Sequence, residues 1–153
     1  MKPGRVRAAA AHRLGPRAEQ VARWLSRLID APLVLQRYSR LAHDCNRMPD
    51  SPDAMPEISE ITHIPGNRNL TPADQLARIH RIYQRFHMAI AELLDCRAAE
   101  GVRSMVVTVH SFTPVYKGTP RALELGILHD RDTRTACCTR SICMRRPAAS
   151  RTS

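Results

Sequence analysis

His110 closes the apolar run Met105–Val109 and is followed by Ser111 and Phe112. In α/β proteins ligands gather at the carboxyl ends of the strands, and a neutral imidazole placed there suits Zn2+. A lone histidine after a strand is better explained as a buried side chain bonded to a backbone carbonyl, so its type alone does not make it a ligand. Three arginine-bearing segments precede it. Asp44-Cys45-Asn46-Arg47 sets an amide donor beside a guanidinium fork, a pairing in which arginine grips a carboxylate in bidentate fashion while asparagine fixes its orientation. Tyr38-Ser39-Arg40 and Gly66-Asn67-Arg68 add two more guanidinium groups. Taken singly, each of these segments could also be a solvated turn or plain surface charge.

The elements that must position these residues can be read from periodicity. Residues 1–16 mix Arg, Ala, Gly and Pro without a period and are expected to be irregular. From Arg17 onward Val21, Ala22, Leu25, Leu28 and Ile29 share one helical face, and Pro32 stops the helix soon after. Leu33–Leu35 reads as a short buried strand. The stretch Tyr38–Leu70 is polar and broken by Pro49, Pro52, Pro56, Pro65 and Gly66, too long for a simple connector and of the kind that carries function. Thr71 is placed as an N-cap, with Pro72 at the first helical position and Asp74 three residues after the cap. Leu76, Ile79, Tyr83, Phe86, Ile90, Leu93 and Leu94 then hold a helical period, so one long amphipathic helix is expected to run to about Glu100 and end at Gly101. Met105–Val109 is a β-branched strand and Ala122–His129 a second candidate. The sum is an α/β fold, a mostly parallel or mixed sheet flanked by helices. Residues 137–153 have no period and are expected to form an irregular basic tail.

Together, these segments resemble the N-formylglutamate amidohydrolase family. The resemblance is carried by Tyr38-Ser39-Arg40-Leu41, Asp44-Cys45-Asn46-Arg47, Ile64-Pro65-Gly66-Asn67-Arg68, the helix opening Leu70-Thr71-Pro72, and His110-Ser111-Phe112-Thr113-Pro114, in order over roughly Ala18–Asp132. It implies a core fragment similar to the zinc carboxypeptidases, with residues 17–136 as a partial domain. His110 is then a zinc ligand, and Asn46 with Arg47 bind the substrate's α-carboxylate. The implied reaction is hydrolysis of N-formyl-L-glutamate, or a related N-acylated acidic amino acid, to formate and L-glutamate. Because such a substrate carries two carboxylates, Arg40 or Arg68 is expected to take the second. Zn2+ would polarise the formyl oxygen and acidify its bound water while a carboxylate takes the proton.

Two parts of the family pattern are not met. An earlier strand should supply a histidine and an acid to the metal, yet His12 has no acid three residues on; beyond Asp132 the family continues to a Glu-bearing segment, where this chain has Cys137-Cys138-Thr139-Arg140. An altered reading frame or misplaced gene boundary at each end is the expectation, with impaired catalysis and unpaired sheet edges that favour aggregation. A catalytic zinc needs about three protein ligands; His43, His63, His80, His87 and His129 are conceivable substitutes, though His80 and His87 lie seven residues apart on the long helix, where packing or solvation accounts for them. No residue is assigned as the catalytic carboxylate. The alternative function is a catalytically inactive remnant or small interaction protein of the same fold.

Charge excludes a further class. The net +10 arises at the ends, residues 1–23 and 131–153 each holding six Lys/Arg against one acid, while residues 24–130 hold twelve of each sign. With aromatics only 4% of the chain, no basic, aromatic-studded face exists to read nucleic acid specifically. Five cysteines, three of them in the last 17 residues, make no secreted disulfide framework. No signal peptide or membrane span is expected, and a soluble cytoplasmic protein acting on a small acidic molecule is the reading.

Overall fold

The structure, a computed structural model, describes residues 9–11, 15–116, 118–122 and 125–126. It has two compact units, divided after Phe112. At the centre of the first is a parallel sheet of three strands, β1 (Ala9–Ala11), β2 (Leu33–Leu35) and β5 (Val107–Val109), in the order β2-β1-β5. Ala11 is in register with Leu35 on one side and Val109 on the other, so all three carboxyl ends lie along one edge. β1 corrects the expectation that residues 1–16 lack regular structure. Alanine has little strand propensity of its own, and the pattern carries no alternation; pairing on both edges, available only in the assembled sheet, outweighs propensity here.

Helix α1 (Gly15–Leu28) packs on the sheet. Its buried positions are Ala18 and Ala22, whereas Val21, Leu28 and Ile29, expected on the core face, are exposed, and Trp24 is 62% exposed. Small residues thus form the contact stripe of α1. Its end is tightened by Asp30 at φ 50° and by the Ala31 amide donating to the Ser26 carbonyl at 2.8 Å, an αL cap of the kind that satisfies the last carbonyls.

The polar stretch after β2 is ordered by a 3-10 turn at Pro52–Ala54, a hairpin of β3 (Ile58–Ser59) with β4 (Thr62–His63), and a second 3-10 turn at Pro65–Asn67. Then comes α2 (Pro72–Arg78), which opens with a capping box: the Asp74 amide donates to Thr71 Oγ1 at 3.2 Å and the Thr71 amide to Asp74 Oδ2 at 3.2 Å. The single long helix expected here contains a π-helical segment at Ile79–Gln84 before continuing as α3 (Arg85–Ala99). Gly101 adopts φ 69° just past its end, a conformation glycine takes without steric penalty.

The second unit contains a short hairpin, β6 (Val115–Tyr116) with β7 (Thr119–Pro120), closed by the Arg121 amide donating to the Pro114 carbonyl at 2.8 Å. Arg121 lies over the Tyr116 ring, 4.9 Å from its centroid. Ala122, Leu125 and Gly126 are not in a strand, contrary to the expectation for Ala122–His129, whose remaining residues lie outside those described, as does the 137–153 tail. Among the described residues no helix is long and apolar enough to cross a membrane.

Candidate functional site

Asp44 is the node on which the candidate site is built. Buried to 4% exposure, it accepts a guanidinium N–H of Arg40 on Oδ2 at 2.5 Å and the Asn46 amide on Oδ1 at 3.0 Å. Its own amide donates to the Ala54 carbonyl at 2.8 Å, and its carbonyl accepts from the Arg47 amide at 3.0 Å. Both charge-assisted contacts to a buried carboxylate are of the stronger kind. The backbone carrying Asn46 and Arg47 is therefore fixed from beneath, and both residues are exposed.

A second buried polar side chain, Asn67, ties the other arginine turn to the same body. Its amide nitrogen donates to the Leu41 carbonyl at 2.8 Å and the Pro56 carbonyl at 2.7 Å, while its Oδ1 accepts from Arg78 at 2.6 Å. Arg78, one helical turn after Asp74, also donates to the carbonyls of Ala42 at 3.0 Å and Gly66 at 2.5 Å. The turn containing Arg40 and the turn containing exposed Arg68 are thus joined through the residues adjacent to each, Leu41 and Asn67. Of the sequence-assigned substrate residues, Arg40, Asn46, Arg47 and Arg68 all belong to this one bonded loop body. Arg40 differs from the others in that part of its guanidinium is committed to Asp44.

Beneath the loop lies a titratable, aromatic layer. His43 is fully buried, its ring 5.5 Å from that of Tyr83; the Tyr83 and His87 rings are 4.2 Å apart. His87 Nε2 stands 3.0 Å from the Cys45 carbonyl oxygen, which can only accept, so that nitrogen carries the proton. Gln36, the residue following β2, donates to Cys45 Sγ at 3.1 Å and to the carbonyl of Ile82, inside the π-helical segment, at 3.4 Å. Burial pushes the Cys45 thiol up to about 11, with the Asp44 charge adding to the rise and the Gln36 hydrogen bond opposing it. A thiol held neutral in this way is a packing residue rather than a nucleophile.

His110 follows the last residue of β5, at the carboxyl edge of the sheet. The arginine-bearing loop springs from Leu35, the residue ending β2 at that same edge. His110 and the loop body thus share one end of the sheet. The other histidines considered as ligands have different surroundings. His63 is exposed in β4, His80 Nδ1 is 2.6 Å from Gln84 Oε1, and His43 and His87 sit in the layer beneath the loop. His12 and His129 lie outside the described residues. Among the described residues no three His, Cys, Asp or Glu side chains come together in a way that could hold a metal ion, so these residues do not make up the three-donor set of a catalytic zinc.

Apart from Arg40, sequence reasoning named exposed side chains and missed those that hold them. Asp44, Asn67 and Arg78 carry the site's internal bonds. The available signal for the first two was an acid and an amide lying inside motifs already singled out. For Arg78 the signal was a basic residue on the helix that follows.

A model of the N-formylglutamate amidohydrolase family matches residues 3–150. That span is wider than the Ala18–Asp132 stretch of recognisable motifs and reaches into both terminal segments expected to fall outside the pattern. Among solved structures, that described as the crystal structure of gene product Atu2144 from Agrobacterium tumefaciens is 40% identical, with a TM-score of 0.82, covering 93% of this chain and 67% of that one. No curated protein matches the chain.

Proposed function

The chain belongs to the N-formylglutamate amidohydrolase family, and on that premise we propose that it hydrolyses the formamide bond of N-formyl-L-glutamate or a closely related N-acylated acidic amino acid. Water adds to the formyl carbon, the C–N bond breaks, and formate and L-glutamate leave. The observation that carries the substrate assignment is the Asp44 node. By fixing the backbone of Asn46 and Arg47 while leaving both side chains exposed, it makes a preorganised donor pair for the α-carboxylate. Arg68, whose exposed side chain lies on the adjoining turn, is the better placed of the two remaining arginines to take the side-chain carboxylate. Arg40 keeps the Asp44 carboxylate neutralised and contributes its remaining N–H groups.

His110 is the proposed zinc ligand, on the ground that it follows β5 at the edge from which the loop departs, and the fold is proposed to be a zinc-carboxypeptidase-like core. Zinc bound there would supply polarisation of the formyl oxygen. The described residues do not complete its donor set, and no step of the reaction is routed through it here. That same donor count favours a second reading, a protein of this fold that binds acidic N-acyl amino acids without turnover.

Calorimetric titration with N-formyl-L-glutamate, paired with a formate-release assay in the presence of zinc, separates the two. The enzyme reading expects binding and release, with Arg47→Ala lowering kcat/KM by about 10- to 100-fold through KM, the loss of one charged hydrogen-bonding group. Binding with no release supports the second reading. Absence of both overturns the substrate assignment.

A further inference from the structure

Cys45 separates buried Asp44 from exposed Asn46, and side chains from two distant elements hold it at different points. Gln36 Nε2 donates to its Sγ at 3.1 Å, and His87 Nε2 donates to its carbonyl at 3.0 Å. Gln36 is itself buried to 6% exposure. Its Oε1 accepts the Tyr38 amide at 3.0 Å, and its Nε2 also reaches the Ile82 carbonyl at 3.4 Å. An oxygen that accepts a backbone N–H puts the amide nitrogen on the other side, so these partners fix which way the Gln36 amide points. One side chain thus ties the end of β2 to the start of the loop, to Cys45 and to the π-helical segment.

The helix meets Gln36 and Cys45 through that segment and the turn beyond it. A π turn holds one residue more than an α turn, which carries everything after it round the axis by about 100°. Ile82 is the buried residue of the segment, and its carbonyl accepts the Arg85 amide within the helix while its second lone pair takes Gln36. Five residues on, His87 is stacked on Tyr83 at 4.2 Å, which restrains its ring. Asp44 sets the direction of the Asn46 and Arg47 amides. It does not set how far that segment stands from the helix; the two anchors on Cys45 do.

We propose that Gln36 and His87 are positioning residues, acting through Cys45 to hold Asn46 and Arg47 where they can grip a carboxylate, a grip that rests on the substrate reading above. Calorimetric titration with N-formyl-L-glutamate and amide hydrogen exchange, both on the full chain, test this together. Gln36→Met keeps the length of the side chain without a donor, and His87→Leu removes the other anchor. Each is expected to weaken binding about tenfold. Each should also speed exchange of the Asn46 and Arg47 amides about tenfold while the amide of Leu94, inside α3, stays within about twofold. His87→Gln keeps an N–H for the Cys45 carbonyl and should bind within about threefold of wild type. Exchange is read on the protein alone, so a wild type that binds no N-formyl-L-glutamate defeats the substrate reading and leaves exchange to decide the positioning. Unchanged exchange at Asn46 and Arg47 overturns the proposal, as does equal acceleration at Leu94, the mark of general loosening. So does wild-type affinity in both Gln36→Met and His87→Leu, or a His87→Gln variant no better than His87→Leu.

Discussion

At the scale of single residues, the candidate site depends on polar side chains bonded within the fold. Asn67 and Arg78 are the clearest case, because one amide and one guanidinium between them bind four backbone carbonyls and each other. Removing either leaves two part-buried acceptors without their donor, the expensive direction in which to break a hydrogen bond. Arg78→Ala is accordingly expected to lower the unfolding free energy by about 2–3 kcal/mol in urea titrations. Arg78→Lys should recover only part of the loss, since a single ammonium cannot reproduce the planar fork; full recovery by lysine would show that charge alone matters. Cys45 gives an independent check of the layer beneath the loop. Its thiol is raised by burial from 9.0 to about 11, so the stability tied to the neutral thiol is complete below 9 and is lost as pH climbs through 11. At pH near 8, peptide mapping after iodoacetamide treatment should find exposed Cys96 modified and Cys45 protected. Comparable rates at the two cysteines would mean that the loop does not cover Cys45.

At the scale of elements, what could be read from the sequence was whatever is encoded locally. Thr71, Pro72 and Asp74 specify a helix start through side chain to backbone bonds within four residues, and the capping box forms as the pattern predicts. Leu33–Leu35 and the end of Met105–Val109 form strands as β-branched and apolar runs favour, but Leu33–Leu35, expected to be buried, is only half-buried, because β2 lies at the edge of the sheet. The parts that could not be read depend on partners distant in the chain. β1 is made of alanines and is a strand only between β2 and β5. On α1 the contact stripe proved to be Ala18 and Ala22, because periodicity gives the angle of a face but not how closely a helix approaches a sheet. The π-helical segment leaves no mark in the apolar period; its Ile82 carbonyl is engaged by Gln36 from far upstream. The cap also fixes a pH dependence. Hydrogen bonds from the Thr71 hydroxyl and backbone hold the Asp74 carboxyl below its ordinary value of 3.8. A depressed folded value means that the carboxylate stabilises the helix start above 3.8 and ceases to as pH falls through the folded value. Wild type should therefore lose helical circular dichroism on acidification more steeply than Asp74→Asn below pH 4, with the two running parallel above it. Parallel curves throughout would remove Asp74 from the cap.

At the scale of the whole molecule, sheet register and loop bonding together bring scattered motifs to one end of the sheet. The three parallel strands end along a common edge. One of them delivers His110 there, and another launches a loop whose internal bonds gather Arg40, Asn46, Arg47 and Arg68. Asn46, Arg47 and Arg68, which face outward, were legible as residues of the sequence motifs. The inward ones were not, since a buried aspartate or asparagine is specified only by the carbonyls and amides that surround it. The family match reaches residues 3–150, which agrees with the amide hydrolysis that this arrangement is proposed to support. Proton NMR of the full chain with zinc and N-formyl-L-glutamate follows ligand binding and formate formation in one sample and tests the central claim most directly. A growing formate signal that Arg47→Ala slows by about 10- to 100-fold at low substrate is the expected result. No formate signal, or a signal that Arg47→Ala leaves unchanged, would contradict it.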